Sequence, residues 1–253
     1  MLRLLVLFAS SFSALSLGSL SASFAASPEQ STPGKPVAVL ELFTSQSCSS
    51  CPPAEDLLAE YADQPDLIAL EWHVDYWNDL VLPQRGRWRD PFSDSQFTER
   101  QRTYNEAIRH RRSVYTPQMV INGQAEAIGS DRRQIDSLVA RHTLSTSPVI
   151  EVAEQDNLAT VTFPSSANDE ANLHALVVYV KPVAETSVGG GENKGLMLRE
   201  HNIVRGFTDL GPIAGDLQKT FSMPPAGQQC VVLIQNAPVG AIVGAATCPT
   251  AEG

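Results

Sequence analysis

A buried-strand pattern that runs through two cysteines into a helix constrains this chain more than any other feature. Residues 37–43 read Val-Ala-Val-Leu-Glu-Leu-Phe, a density of branched and aromatic side chains that suits a strand buried on both faces. Glu41 interrupts it. Beyond Cys51, the residues Ala54, Leu57, Leu58 and Tyr61 follow the i, i+3, i+4, i+7 spacing of one helix face. Pro52 and Pro53 stand where a first turn tolerates proline. Cys48-Ser49-Ser50-Cys51 therefore occupies a tight strand-to-helix turn. The positive end of a helix favours a thiolate, and the thiolate is the nucleophile in disulfide exchange. This reading makes Cys48 the attacking thiol and Cys51, about one turn on, the resolving one. The same spacing also fits half of a zinc site or an inert small-loop disulfide. A tetrahedral zinc site needs two more ligands, and Cys230 and Cys248 lie in the other half of the chain.

Residues 67–74 read as a second strand. In the polar stretch 76–112, Phe97, Gln101, Tyr104 and Ile108 share one helix face, which predicts a helical insertion packed by its aromatic stripe. Residues 114–122 form the next strand, broken at Thr116-Pro117, and Asn122-Gly123 is a two-residue hairpin turn. Ser130 is the expected cap of a helix carrying Ile135, Leu138 and Val139. After Ser147-Pro148 the pattern changes to short apolar runs at 149–152, 158–163, 173–180, 196–204, 230–234 and 241–246. Turn residues part them, including Gly189-Gly190-Gly191, as in an antiparallel β unit. The expected class is α/β, with a domain over 37–146 and a mainly antiparallel β unit over 148–253.

The first residues have the form of a processing signal. Arg3 precedes an apolar run over 4–20, and Ser23-Phe24-Ala25 offers small residues at a cleavage site, giving a signal peptide over 1–25 and a flexible lead-in over 26–36. The expected location is periplasmic or secreted, where cysteines oxidise, with no stable membrane insertion after cleavage. With 28 acidic against 18 basic residues and a net charge of −10, no general cationic surface exists to neutralise phosphates, which argues against nucleic acid as a partner.

Four motifs in order carry a family resemblance. They are Glu-Leu-Phe-Thr-Ser-Gln-Ser-Cys-Ser-Ser-Cys-Pro-Pro-Ala-Glu (41–55), Trp-His-Val-Asp-Tyr-Trp (72–77), Val-Tyr-Thr-Pro-Gln-Met-Val-Ile-Asn-Gly (114–123) and Arg-Glu-His-Asn-Ile-Val-Arg (199–205). Together they resemble the secreted family catalogued as domain of unknown function 1223, which has no settled activity. The resemblance implies a thioredoxin-like fold. In such proteins a cis-proline faces the C-x-x-C, and its preceding backbone pairs with the substrate segment. Thr116-Pro117 resembles that element, the other reading being a trans proline entering an edge strand. A buried acid near the position of Glu41 helps such proteins move protons for the resolving thiol. Here one extra residue separates acid from cysteine, and a hydrogen-bonded structural glutamate is the alternative.

His73 and Asp75 end the second strand, at the edge where parallel sheets place their chemistry. His73 is a candidate to stabilise the thiolate, act as a base or ligate metal, or else a hydrogen-bonded structural group. Trp72, Tyr76 and Trp77 form either a docking wall or core, and the 109–112 basic cluster reads as a solvated helix end. Cys230 and Cys248 are the expected structural disulfide. The first functional expectation is an exported thiol–disulfide oxidoreductase acting on protein or small-molecule thiols and disulfides. It would work through Cys48, Cys51, Thr116, Pro117, Glu41 and His73, with an unidentified redox partner and no organic cofactor. The alternative is a periplasmic metal-binding module in which Cys48, Cys51, His73 and Met119 hold copper(I), an ion suited to soft sulfur ligands.

Overall fold

The computed structural model describes residues 37–144, 151–155, 157–163, 172–213 and 218–248. The expected signal peptide, the expected lead-in and the expected boundary near residue 148 lie outside the described residues. Ala38–Thr44 forms β1 and is buried along its whole length, because its two faces meet two different layers. Leu40 and Leu42 pack with Leu57, Leu58 and Tyr61 of α1 (Pro52–Ala62) and with Ile135 of α3 (Arg132–Arg141). On the other face, Val39 and Phe43 pack with Trp72 and with Phe97 and Tyr104 of α2 (Ser95–Arg109).

β2 (Leu67–His73) runs parallel to β1, from Ala38 opposite Leu67 to Thr44 opposite His73. β3 (Gln118–Ile121) pairs antiparallel on the other side of β1 and turns at Asn122 and Gly123 into β4 (Ala125–Ile128). Both turn residues have positive φ, 47° and 64°, the backbone that the Asn-Gly pair favours. A side chain at Gly123 would also collide with the Gly240 carbonyl oxygen. The remaining strands are β5 (Glu151–Gln155), β6 (Leu158–Thr162), β7 (Leu173–Ser187), β8 (Met197–Pro212), β9 (Gln218–Ser222), β10 (Gln229–Asn236) and β11 (Ile242–Thr247). β5, β6 and β9 make a three-stranded antiparallel sheet. The other eight form one mixed sheet in the order β11-β10-β7-β8-β2-β1-β3-β4.

This architecture corrects the expected one. The chain does not form a thioredoxin-like domain with a helical insertion followed by a separate β unit. β8 pairs in parallel with β2 at Glu71 and Ile203, so strands of both halves build the eight-stranded sheet, and only three helices occur among the described residues. The reason is apolar surface. Leu176, Val178, Val204 and Leu233 share one core with Val39, Phe43 and Trp72, so the second half buries a strand face against the first instead of closing on itself. The opposite face of β7 and β10, with Val177 and Val232, meets Val161 and Phe221 of the small sheet. The 76–112 stretch contributes a single helix, whose buried side carries Arg100 and Gln101 beside Phe97 and Tyr104. Asp131, not Ser130, caps α3 by accepting from the Gln134 N–H at 3.0 Å. β9 reads Gln-Lys-Thr-Phe-Ser with Phe221 alone buried, so its pairing with β6 rather than its composition makes it a strand.

One covalent tie within the large sheet and one buried charged network between sheet and α2 support the fold. Cys230 and Cys248 are disulfide-bonded with Cα atoms 5.3 Å apart, joining the start of β10 to the end of β11. Within the core, Arg100 Nε donates to Glu41 Oε1 at 2.8 Å and Tyr104 donates its hydroxyl to the other Glu41 oxygen. Arg100 Nη1 donates to Gln235 at 3.0 Å, which links β1, α2 and β10 through one polar network. Among the described residues no helix is long and apolar enough to cross a membrane. Breaking a buried ion pair from one side strands a charge, so Arg100→Met is expected to cost about 3–5 kcal/mol in urea unfolding. A cost near zero would mean that Tyr104 alone carries Glu41. Replacing Cys230 and Cys248 by serine should lower unfolding stability by roughly 3 kcal/mol, the chain-entropy value for a loop of this length.

Candidate functional site

β1 ends at Thr44, and two successive turns, Cys48 N–H to Ser45 carbonyl and Cys51 N–H to Cys48 carbonyl, carry the chain into α1. Cys48 and Cys51 are disulfide-bonded with Cα atoms 5.4 Å apart, and Cys51 is the residue that caps α1. Ser49 and Ser50 between them are exposed, yet Cys48 is 1% and Cys51 0% exposed. The cover comes from the other half of the chain. The hairpin loop between β7 and β8 brings Asn193, whose Nδ2 donates to the carbonyls of Gln46 at 3.1 Å and Cys48 at 2.9 Å. Glu192 accepts from the Ser49 N–H at 2.8 Å and the Ser49 hydroxyl at 2.7 Å. Gly191 has φ 72°, and a Cβ there would lie 2.8 Å from Ser47 Oγ, so both conformation and close approach require glycine.

Thr116–Pro117 is a cis peptide. Trp77 Nε1 donates to Thr116 Oγ1 at 2.9 Å. Pro117 Cβ and Ala54 Cβ lie 3.0 and 3.1 Å from the Cβ position of Gly129, so the proline and the first turn of α1 abut across a residue with no side chain. Glu41 stands elsewhere. It points to the α2 face of the sheet, where Arg100 and Tyr104 hold it, whereas α1 covers the opposite face. Trp72 is core, and Asp75 accepts from the Thr98 hydroxyl at 2.6 Å. Arg109 and Arg112 pair with Glu126, Glu99 and Glu106.

On the α1 face, directly under the cysteine turn, lies a sealed polar cluster. Glu55, Glu71, His73, Asp90 and Glu200 are at most 5% exposed. His73 Nδ1 is 2.8 Å from Asp90 Oδ2, and His73 Nε2 is 3.2 Å from Glu71 Oε1 and 3.9 Å from Glu200 Oε1. Gln46 binds the cluster to the cysteine turn. Its N–H donates to Asp90 at 2.9 Å, its Nε2 to both Glu200 oxygens at 2.9 Å, and its Oε1 accepts from Trp88 Nε1 at 2.9 Å. Burial by itself would lower the His73 pKa, but the charge and hydrogen bond of Asp90 and the Glu71 carboxyl outweigh it and hold the imidazole well above its ordinary value. Burial pushes Glu200 up to about 7, with Glu71 adding repulsion against the opposing pull of His73. Glu55, which accepts from the Thr44 hydroxyl at 2.6 Å, is likewise held well above the usual carboxylate range by burial and then by Glu71.

A family model described as protein of unknown function (DUF1223) matches residues 39–235. The chain belongs to this family. A crystal structure of a protein from Agrobacterium tumefaciens is 27% identical to it, with a TM-score of 0.70 over 87% of this chain and 97% of that one. The structure of HBP35 of Porphyromonas gingivalis is 14% identical, with a TM-score of 0.54 over 87% of this chain and 78% of that one, a likeness of fold alone. Among curated proteins none matches the chain.

In this DUF1223 member the fold therefore brings Cys48, Cys51 and Pro117 to one end of α1 and sets His73 just beneath. Glu41 and Met119 are not gathered with them, since Met119 is buried in the apolar layer of Leu42, Leu58 and Ile121. His73 turns its nitrogens to Asp90 and Glu71. Gln46, Glu55 and Glu200 lie inside the family motifs, but no spacing assigns them a role, and Glu71, Asp90 and Asn193 come from separate segments. The one available hint was Glu71, a second charged residue in an apolar strand beside Glu41. Asn193→Ala removes two of the bonds that pin the cysteine turn, a loss of about 1 kcal/mol or more. Opening before reduction then becomes easier, so a soluble phosphine should reduce Cys48–Cys51 roughly fivefold faster or more, with Cys230–Cys248 unchanged. Equal rates would mean that the loop does not guard the disulfide.

Proposed function

We propose that this protein is an exported thiol–disulfide oxidoreductase acting on protein or small-molecule thiols through Cys48 and Cys51. The observation that carries the reading is the Cys48–Cys51 disulfide at the N-terminus of α1, which brackets two exposed serines, with Pro117 packed near the same first turn. On reduction, the α1 dipole and the Ser50 hydroxyl, 3.3 Å from Cys48 Sγ, favour a Cys48 thiolate. Pro52 and Pro53 carry no N–H, so the stabilisation comes from the dipole and the hydroxyl rather than from those two backbone donors. The two disulfides of the chain are of the kind that persists in oxidising compartments, which supports export.

The Cys48 thiolate attacks one sulfur of a partner disulfide, forming a mixed disulfide and releasing the second partner sulfur as thiolate. The Cys51 thiolate then attacks Cys48 Sγ, closes the ring and expels the first partner sulfur. Two electrons and two protons pass to the partner, and the reverse sequence oxidises it. Glu55, whose backbone N–H donates to the Cys51 carbonyl at 3.1 Å, is in this proposal the group that exchanges the Cys51 proton. For a partner sulfur to reach Cys48 the 188–196 loop must part from residues 46–49. A groove of about 360 Å³ between Ser49, Leu82, Pro83, Arg85 and Glu192 adjoins that seam.

Exchange with a model peptide disulfide tests the reading. Cys48→Ser is expected to abolish turnover, Cys51→Ser to accumulate a mixed disulfide detectable by mass spectrometry, and the Cys230, Cys248 double serine variant to retain activity. Wild-type turnover by Cys48→Ser would remove this mechanism.

A further inference from the structure

The polar cluster under α1 has a geometry that hydrogen bonding alone does not complete. His73 Nε2 and Glu71 Oε1 are fully buried and have no hydrogen-bond partner. They sit 3.2 Å apart without the alignment of a bond between them. Buried polar atoms without aligned partners are uncommon, and Glu200 Oε1 is a third buried polar atom beside them, 3.9 Å from His73 Nε2. We propose that Glu71, His73 and Glu200 form a divalent metal site, with His73 Nε2 and one carboxylate oxygen from each glutamate as ligands.

Three observations carry this. The ligand atoms of the three residues all lie within 4.8 Å of one another. Metal–nitrogen and metal–oxygen distances of about 2.0–2.2 Å in a tetrahedral zinc site put neighbouring ligand atoms roughly 3.3–3.6 Å apart. The His73–Glu71 separation of 3.2 Å is close to that, and the His73–Glu200 separation of 3.9 Å needs only a small carboxylate rotation. The ligands are also fixed by neighbours. Asp90 holds His73 Nδ1 and the His201 N–H donates to Glu71 Oε2 at 3.0 Å, each behind the ligand atom, while Gln46 Nε2 donates to both Glu200 oxygens at 2.9 Å. A carboxylate behind a ligating histidine fixes the ring and its tautomer, the usual support of such sites. Finally, one imidazole faces three buried carboxyls, and a dication compensates charge that His73 alone does not. One imidazole with two carboxylates matches zinc or manganese(II) rather than a soft ion.

The site uses no sulfur, so it is tested with both disulfides intact. The full chain is produced in medium supplemented with zinc or manganese, desalted, and its metal content measured by plasma mass spectrometry. Its melting temperature is followed with and without EDTA. One ion per chain is expected, with a lower melting temperature after chelation. Glu200→Gln and His73→Gln should weaken binding by about 100-fold or more, and Asp90→Asn by about 10- to 100-fold, each in protein whose circular dichroism matches wild type. His174→Ala, which alters a half-buried histidine paired with Asp209, should leave binding unchanged. Metal-free wild-type protein would overturn the site and leave a proton shared among His73 and the carboxyls. Undiminished uptake in Glu200→Gln and His73→Gln, or uptake lost in His174→Ala, would place the ion elsewhere and overturn it equally.

Discussion

The junction between β2 and β8 is held by buried polar groups, and the rest of the molecule is arranged around it. A single ladder pair, Glu71 with Ile203, joins the two strands, while Glu71 accepts the backbone N–H of His201 and Gln46 donates to Glu200. Buried polar groups need partners far more than apolar ones need a particular neighbour. This contact therefore specifies how the second half aligns with the first, and apolar area on the α2 side secures it. Once β8 is placed, its hairpin partner β7 delivers the 188–196 loop onto the cysteine turn.

The two faces of β1 illustrate how one strand carries two chemistries. Alternation sends Glu41 to the α2 face, where Arg100 and Tyr104 neutralise and saturate it, and Thr44 to the α1 face, where it meets Glu55. The carboxyl associated with the cysteine turn thus comes from the helix and not from the strand.

Cys48 and Cys51 are held by local turns but covered from afar. Asn193 is 145 residues from Cys48, and the polar cluster beneath them draws on β2, β8, α1 and the segment before α2. The second half of the chain is accordingly part of the site. It supplies the cover and, through Glu200, one wall of the buried cluster.

The turn carrying Cys48 and Cys51, the strand before it, the helix after it and the Asn122-Gly123 hairpin were legible because each depends on neighbours within a few residues, where proline, glycine and apolar spacing act directly on the backbone. Most of the later strands were legible as apolar runs for the same reason. β9 was not, because one buried phenylalanine among polar residues becomes a strand only when β6 is beside it. The single eight-stranded sheet was not either, since apolar runs say that a face must be buried without saying against what. By itself the sequence determined the local elements and the cysteine spacing. The tertiary structure alone decided which sheet they join, which face Glu41 takes, and that Glu71, His73 and Glu200 meet, because side chains 127 or more positions apart become neighbours only through strand pairing.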